Sequence, residues 1–226
     1  MNLNTIQMAV FDMAGTTIDE QNVVYKTLFE AIKNAGFDTN LETILFIGAG
    51  KEKFQAIKDI LQHLNSNDLI LAQEIFNEFN ILLDKAYLTL KVNAIEGVES
   101  VLINLRNKKI KVVLNTGYSR KVANALLEKL NWKEEIQFDA LIAADDVQNG
   151  RPSPDMIKKA MEMFHIEDAS MVLKAGDSII DIEEGKNAHC GITIGVLSGA
   201  QTKAQLETAN PDFIINSLAD LNTILN

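Results

Sequence analysis

Four short stretches hold the residue types that do chemistry, and each closes or follows an apolar run or a turn. VFDMAGTTID (10–19) ends its run in the carboxylate Asp12 and continues through the small residues Ala14 and Gly15. NTGYSR (115–120) offers Thr116, Gly117 and Tyr118 ahead of a helical pattern. GRPSP (150–154) holds Arg151 in a proline-flanked loop, and GDSIID (176–181) sets Asp177 and Asp181 one helical turn apart. Three converging carboxylates, Asp12, Asp177 and Asp181, repel one another unless a cation sits among them, and an all-oxygen donor set suits Mg²⁺. A hydroxyl with backbone N–H groups at a helix start suits a phosphate oxygen. Arg151 has the charge to neutralise both that anion and a carboxylate attacking it. Taken singly, each of these residues is also an ordinary cap, turn former or surface charge; the weight lies on the four together.

The elements that must carry them alternate. Apolar runs at 6–11, 110–114, 139–143, 171–175, 192–196 and 212–215 have the continuous character of strands buried on both faces. Between them, 98–107, 119–131 and 154–164 have helical spacing, so the pattern predicts right-handed βαβ units. The fold class expected is α/β, a Rossmann-like parallel sheet with helices on both faces. In such sheets ligands collect outside the carboxyl ends of the strands, where Asp12, Thr116 and Asp177 fall. From about residue 20 to 91 the alternation stops, and helical patterns at 22–34, 52–64 and 68–90 predict an all-helical domain inserted after the first strand. The expected division is a core of residues 1–15 and 92–226 and a cap of residues 16–91, with Gly97 as a hinge near the return.

The bulk numbers narrow the function classes. A hydrophobic fraction of 47% and a charged fraction of 23% are those of an ordinary globular chain, with no run near the roughly 18 residues of a membrane helix. The start, MNLNTIQMAVFD, lacks the basic segment of a secretory signal. Cys190 is the single cysteine, which excludes an internal disulfide and fits a cytoplasmic location. A net charge of −10 argues against nucleic acid as a partner and leaves room for a small focused anion site. His63, His165 and His189 share no metal-ligand spacing with one another or with Cys190.

DMAGTT, NTGYSR, GRPSP and GDSIID, in this order and at fitting strand ends, resemble the four motifs of the haloacid dehalogenase superfamily. The resemblance implies that Asp12 attacks phosphorus and forms a phospho-aspartate that water hydrolyses. It implies Mg²⁺ held by Asp12, the backbone carbonyl of Ala14 and Asp177, with Asp181 in support. Thr116 and Arg151 would bind the transferring group, beside Gly15, Gly117 and Tyr118, and the helical insert would close over the substrate.

Most phosphatases of that superfamily carry an aspartate two residues after the nucleophile as general acid, a role worth roughly 10²–10⁴ in rate. Ala14 cannot fill it. DMAGTT in this respect resembles the phosphonoacetaldehyde hydrolases (phosphonatases) and their relatives, in which a cap lysine forms a Schiff base so that carbon leaves phosphorus as an enamine. AGKEKFQAI (49–57) supplies two lysines. Alignment on Gly50 selects Lys53, and alignment on Gly48 selects Lys51; Lys53 is preferred. Each ammonium is expected to depress the pKa of the other. Phosphonatases have a histidine three residues after the lysine, where this chain has Ala56. The substrate expected is a small phosphonate or phosphorylated metabolite. The alternatives are a phosphomonoester phosphatase and a non-catalytic, metal-dependent sensor of a phospho-ligand. By the same resemblance the cap would pair two copies into a homodimer.

Overall fold

The computed structural model describes residues 5–224; residues 1–4 and 225–226 of the expected core lie outside it. A six-stranded, all-parallel sheet forms the core, in the order β5 (Ala140–Ala143), β4 (Lys111–Thr116), β1 (Met8–Phe11), β6 (Val172–Gly176), β7 (Ile192–Val196), β8 (Phe213–Ile215). The chain builds outward from β1 on one side and then crosses to β6 on the other. The C-terminal ends of β1 and β6 therefore flank the point where the winding reverses, the place such sheets offer a ligand.

Alternation along β1 shows why its run is apolar throughout. Ala9 and Phe11 join the larger apolar cluster, while Met8 and Val10 join a second one with Met156, Ile157 and Ala160 of α7 (Asp155–Met163). Side chains at successive strand positions point to opposite faces, and both faces here are covered.

Four helices stand between β2 (Ile18–Asp19) and β3 (Asn93–Ala94): α1 (Val23–Asn34), α2 (Leu41–Gly48), α3 (Lys53–His63) and α4 (Leu69–Thr89). They are the inserted helical cap. Isolated helices as short as α1, α2 and α3 are marginal in water, so packing must hold them. Ala72, Ile75, Phe79 and Leu83 make one buried stripe of α4, against Leu28 and Ile32 of α1. Full burial of each large side chain there is worth about 1.5–3 kcal/mol. The cap helices also start on side-chain acceptors. Asp68 accepts from the N–H groups of Ile70 and Leu71, and Glu52 from those of Phe54 and Gln55.

Helix α2 is absent from the sequence reading. LETILFIG is apolar on nearly every side, so it shows no 3.6-residue stripe, although Asn40 caps it by accepting from Thr43 N–H at 2.8 Å. The two short strands β2 and β3 pair antiparallel, Ile18 with Ala94 and Asp19 with Asn93. The chain thus leaves and re-enters the core through adjacent, hydrogen-bonded segments. Beyond β3, Gly97 (φ 77°) caps α5 (Val98–Asn107). On its outer side α4 exposes Ile70, Ile81 and Leu88. No helix among the described residues is long and apolar enough to cross a membrane.

Candidate active site

Asp12 follows the last residue of β1, and its N–H donates to the carbonyl of Ala175 on β6 at 3.0 Å. Its own carbonyl accepts from Thr17 Oγ1 at 3.1 Å, which fixes the turn that carries Ala14 and Gly15. Asp177 follows β6, and Asp181 lies in the first turn of α8 (Ile179–Asn187). Carboxylate oxygens of the three lie within 4.8 Å of one another, all buried. The sheet has thus brought together residues separated by more than half of the chain.

The charges around them do not cancel. Arg151 Nη1 donates to Asp12 Oδ1 at 2.8 Å and also to Asp181 Oδ1. Lys174, buried within β6, pairs with Asp181 at 3.0 Å and with Glu184 at 3.1 Å, and donates to Asn115 Oδ1 at 2.6 Å. Asn115 in turn donates to Glu184 Oε1 at 2.7 Å. In this cluster the carboxylates of Asp12, Asp177, Asp181 and Glu184 face the cations of Arg151 and Lys174, so the acids are in excess. The excess falls on Asp12 and Asp177. Burial raises the Asp12 pKa to about 6, with Arg151 pulling it back and Asp181 pushing it further. Burial, Asp12 and Asp181 hold the Asp177 carboxyl well above the usual range. Among the described residues no lysine, arginine or histidine pairs with Asp177, which accepts from the N–H of Ala200 at 2.5 Å.

Asp181 differs. Burial alone would raise it, but Arg151 and Lys174 hold it below the ordinary value, and Ser178 Oγ donates to its Oδ2 at 2.5 Å. Both its oxygens are already engaged by protein donors. A divalent cation beside Asp12 and Asp177 would supply the missing positive charge from oxygen donors alone, which fits the donor set.

The candidate anion pocket is lined by small and donor residues. Thr116 ends β4 almost fully buried, and Tyr118 N–H donates to its Oγ1 at 3.2 Å. A Cβ at Gly117 would come within 3.1 Å of Arg151 Nη2 and 3.3 Å of the Gly50 carbonyl. A Cβ at Gly15 (φ 81°) would lie 2.6 Å from Asp177 Oδ2. The buried Nε of Arg151 has no partner within the protein and is free to donate to a ligand.

The two cap lysines part company. Lys53, the first residue of α3, is 8% exposed and donates to the Lys51 carbonyl at 2.6 Å. Its Nζ sits 5.0 Å from the centre of the Tyr25 ring. Lys53 lines the same chamber of about 20 Å³ as Asp12, Ala14, Thr116 and Arg151. Lys51 turns away and pairs with Asp59 at 2.5 Å, so its side chain is not part of the chamber. Mutual repulsion of the two ammonium groups is not what lowers Lys53. Its pKa falls to about 8 through burial first and Arg151 second, with Glu52, Asp12 and Glu20 opposing. Gly50 (φ 73°) places the loop before α3 against the core, its N–H donating to the Tyr25 hydroxyl at 3.1 Å. Ala56 lies fully buried within the cap core, away from the chamber.

Three partners of the site, Lys174, Asn115 and Glu184, escaped the sequence reading. Lys174 had a signal: a lysine inside the apolar run MVLKAG is anomalous unless it is paired. Glu20 and Tyr25, packed near Lys53, had none.

Comparison with known proteins agrees with this geometry. The haloacid dehalogenase-like hydrolase family matches residues 9–195. A phosphonoacetaldehyde hydrolase of Latilactobacillus sakei is 27% identical, the match covering 99% of this chain and 96% of the relative. One of Bacillus mycoides is 30% identical over 91% of this chain and 83% of its own length. The crystal structure of a phosphonoacetaldehyde hydrolase-like protein from Oleispira antarctica superposes with a TM-score of 0.81, at 24% identity, over 98% of this chain and 91% of that one. These relatives are enzymes, which sets the sensor alternative aside. The chain belongs to the haloacid dehalogenase-like hydrolases and is an enzyme of their phosphonatase-like branch.

Proposed function

We propose that this enzyme hydrolyses a small organophosphonate bearing a carbonyl group, with Mg²⁺ as cofactor, Asp12 as phosphoryl acceptor and Lys53 as Schiff-base amine. The observation that carries the reading is the position of Lys53, a buried cap lysine facing the same small chamber as Asp12 and Ala14. Where a general acid is missing, an amine able to make the leaving carbon stable is present.

Lys53, with its pKa near 8, holds a usable fraction of neutral amine at neutral pH. The amine adds to the carbonyl, water leaves, and an imine forms. An Asp12 carboxylate oxygen then attacks phosphorus in line. The P–C electron pair moves into the imine, whose nitrogen carries a proton, and gives a neutral enamine, so the carbon needs no proton from position 14. Protonation of the enamine and hydrolysis free Lys53 and the carbonyl product, while water releases phosphate from Asp12. Arg151 and Thr116 hold the phosphoryl oxygens, and Arg151 keeps Asp12 ionised. Bound between Asp12, the Ala14 carbonyl and Asp177, Mg²⁺ would screen the carboxylates from the incoming anion. Closure of the helical cap keeps bulk water from the reactive imine.

Incubation with phosphonoacetaldehyde and borohydride is expected to add the reduced adduct to Lys53, read by peptide mass. Asp12→Asn should keep the adduct and lose phosphate release by at least about 10³-fold. No adduct, together with turnover of simple phosphate esters, would replace this reading by a phosphomonoesterase.

A further inference from the structure

Beside the phosphoryl chamber, across Lys53, lies a second, larger and half-open cavity of about 250 Å³. Lys53, Gly117 and Tyr118 line both spaces, so the larger one adjoins the chamber on the side of Lys53, where a group leaving phosphorus would depart. Its wall is apolar and comes from cap and core alike: Val24 of α1, Phe76, Phe79 and Leu83 of α4, and Val122 of α6 (Arg120–Leu130). An apolar cavity of roughly 150 Å³ is enough to hold benzene. An acetaldehyde portion would leave most of this space empty. The charged lining residues besides Lys53 are acids, Glu52 and Asp145, which disfavour a second anionic group on the substrate.

We propose that the substrate carries, on the side that departs from phosphorus, an uncharged apolar group about the size of a phenyl ring, and that this cavity selects it. The proposal rests on Asp12 being the phosphoryl acceptor. The apolar cavity meets the reaction chamber at Lys53, Gly117 and Tyr118, the side on which the leaving portion of the substrate lies, so that portion is its occupant. Selection by size and polarity then lies with side chains of α4 and α6, remote from the metal site.

Acyl phosphates separate the two questions. In acetyl phosphate and benzoyl phosphate the bond from phosphorus to the acyl oxygen breaks as the bond to Asp12 forms, and the electron pair leaves on acetate or benzoate. These leaving groups are similarly acidic, so neither requires an acid at position 14, and the two probes differ chiefly in apolar bulk. With Mg²⁺ present, kcat/KM for benzoyl phosphate is expected to exceed that for acetyl phosphate by roughly tenfold or more. Val122→Trp and Leu83→Trp, which fill the cavity from the core and from the cap, should each bring the ratio toward one, read on variants with wild-type circular dichroism. Equal values in the wild type, or a preference for acetyl phosphate, would overturn the cavity assignment and leave the Asp12 chemistry standing. Turnover of neither probe would overturn the Asp12 reading as well.

Discussion

Glu20 is a buried carboxylate that the proposed reaction does not use, and its cost to the fold depends on pH. It is 2% exposed, and its Oε2 accepts from Val23 N–H at 2.7 Å. Burial raises its pKa to about 7, against the N–H groups of Val23 and Val24 and the charge of Lys53. The folded chain therefore keeps a proton that the unfolded chain, titrating near 4.5, gives up. The stabilising contribution is complete below about 4.5 and is lost as pH rises through about 7. Glu20→Gln keeps an acceptor for Val23 and removes the titration. Wild type and variant should melt nearly together at pH 5, whereas at pH 8 the variant should be more stable by about 3 kcal/mol. Coincident calorimetric curves at pH 8 would refute the burial argument. Among single residues, Asp12, Asp177 and Thr116 were legible in sequence because each follows an apolar run, where an α/β sheet presents its ligands. Glu20 was not, because nothing in DEQN shows which acid the cap will bury. The side chain of Lys51 misled for a related reason. Its direction depends on Asp59, two helical turns further on.

At the scale of elements, the loop before α3 is where the cap comes closest to the catalytic end of the sheet. Gly50 holds a left-handed conformation at φ 73°, and a Cβ there would lie 2.5 Å from Ser178 Oγ and 2.9 Å from Ile180 Cβ. An alanine at a left-handed position costs about 1–2 kcal/mol on its own, and the contact with the start of α8 would push the loop away from the chamber. Gly50→Ala is therefore expected to lower kcat/KM for acetyl phosphate by roughly tenfold or more. Unchanged kinetics would mean that this contact does not define the reactive state. Helices α1, α3 and α4 were readable from their spacing because each buries one stripe. Helix α2 was not, because LETILFIG places apolar residues all round the helix, Phe46 exposed among them, and so shows no single stripe. The pairing of β2 with β3 was equally hidden, since a two-residue strand has no period to detect.

For the molecule as a whole, the acid-rich centre predicts how metal and proton compete. A cation seated between Asp12 and Asp177 stabilises the folded chain; at about 100 times its Kd the gain is about 2.7 kcal/mol. For a chain of this length that corresponds to a rise in Tm of roughly 5–10 °C. Asp12 titrates near 6, so protons displace the metal on the acid side. The Mg²⁺-induced shift should be full at pH 7.5 and much reduced at pH 5, and Asp177→Asn should abolish it at both. A shift of equal size at the two pH values would place the ion elsewhere. The doorway between the lobes has a broader meaning. Its outgoing and returning strands, Ile18–Asp19 and Asn93–Ala94, are bonded to each other, so the four helices hang from a single stalk. A unit attached in that manner can be exchanged for another by cutting at one spot, and new chemistry can be acquired by swapping the lid while the phosphorus-handling floor stays as it is.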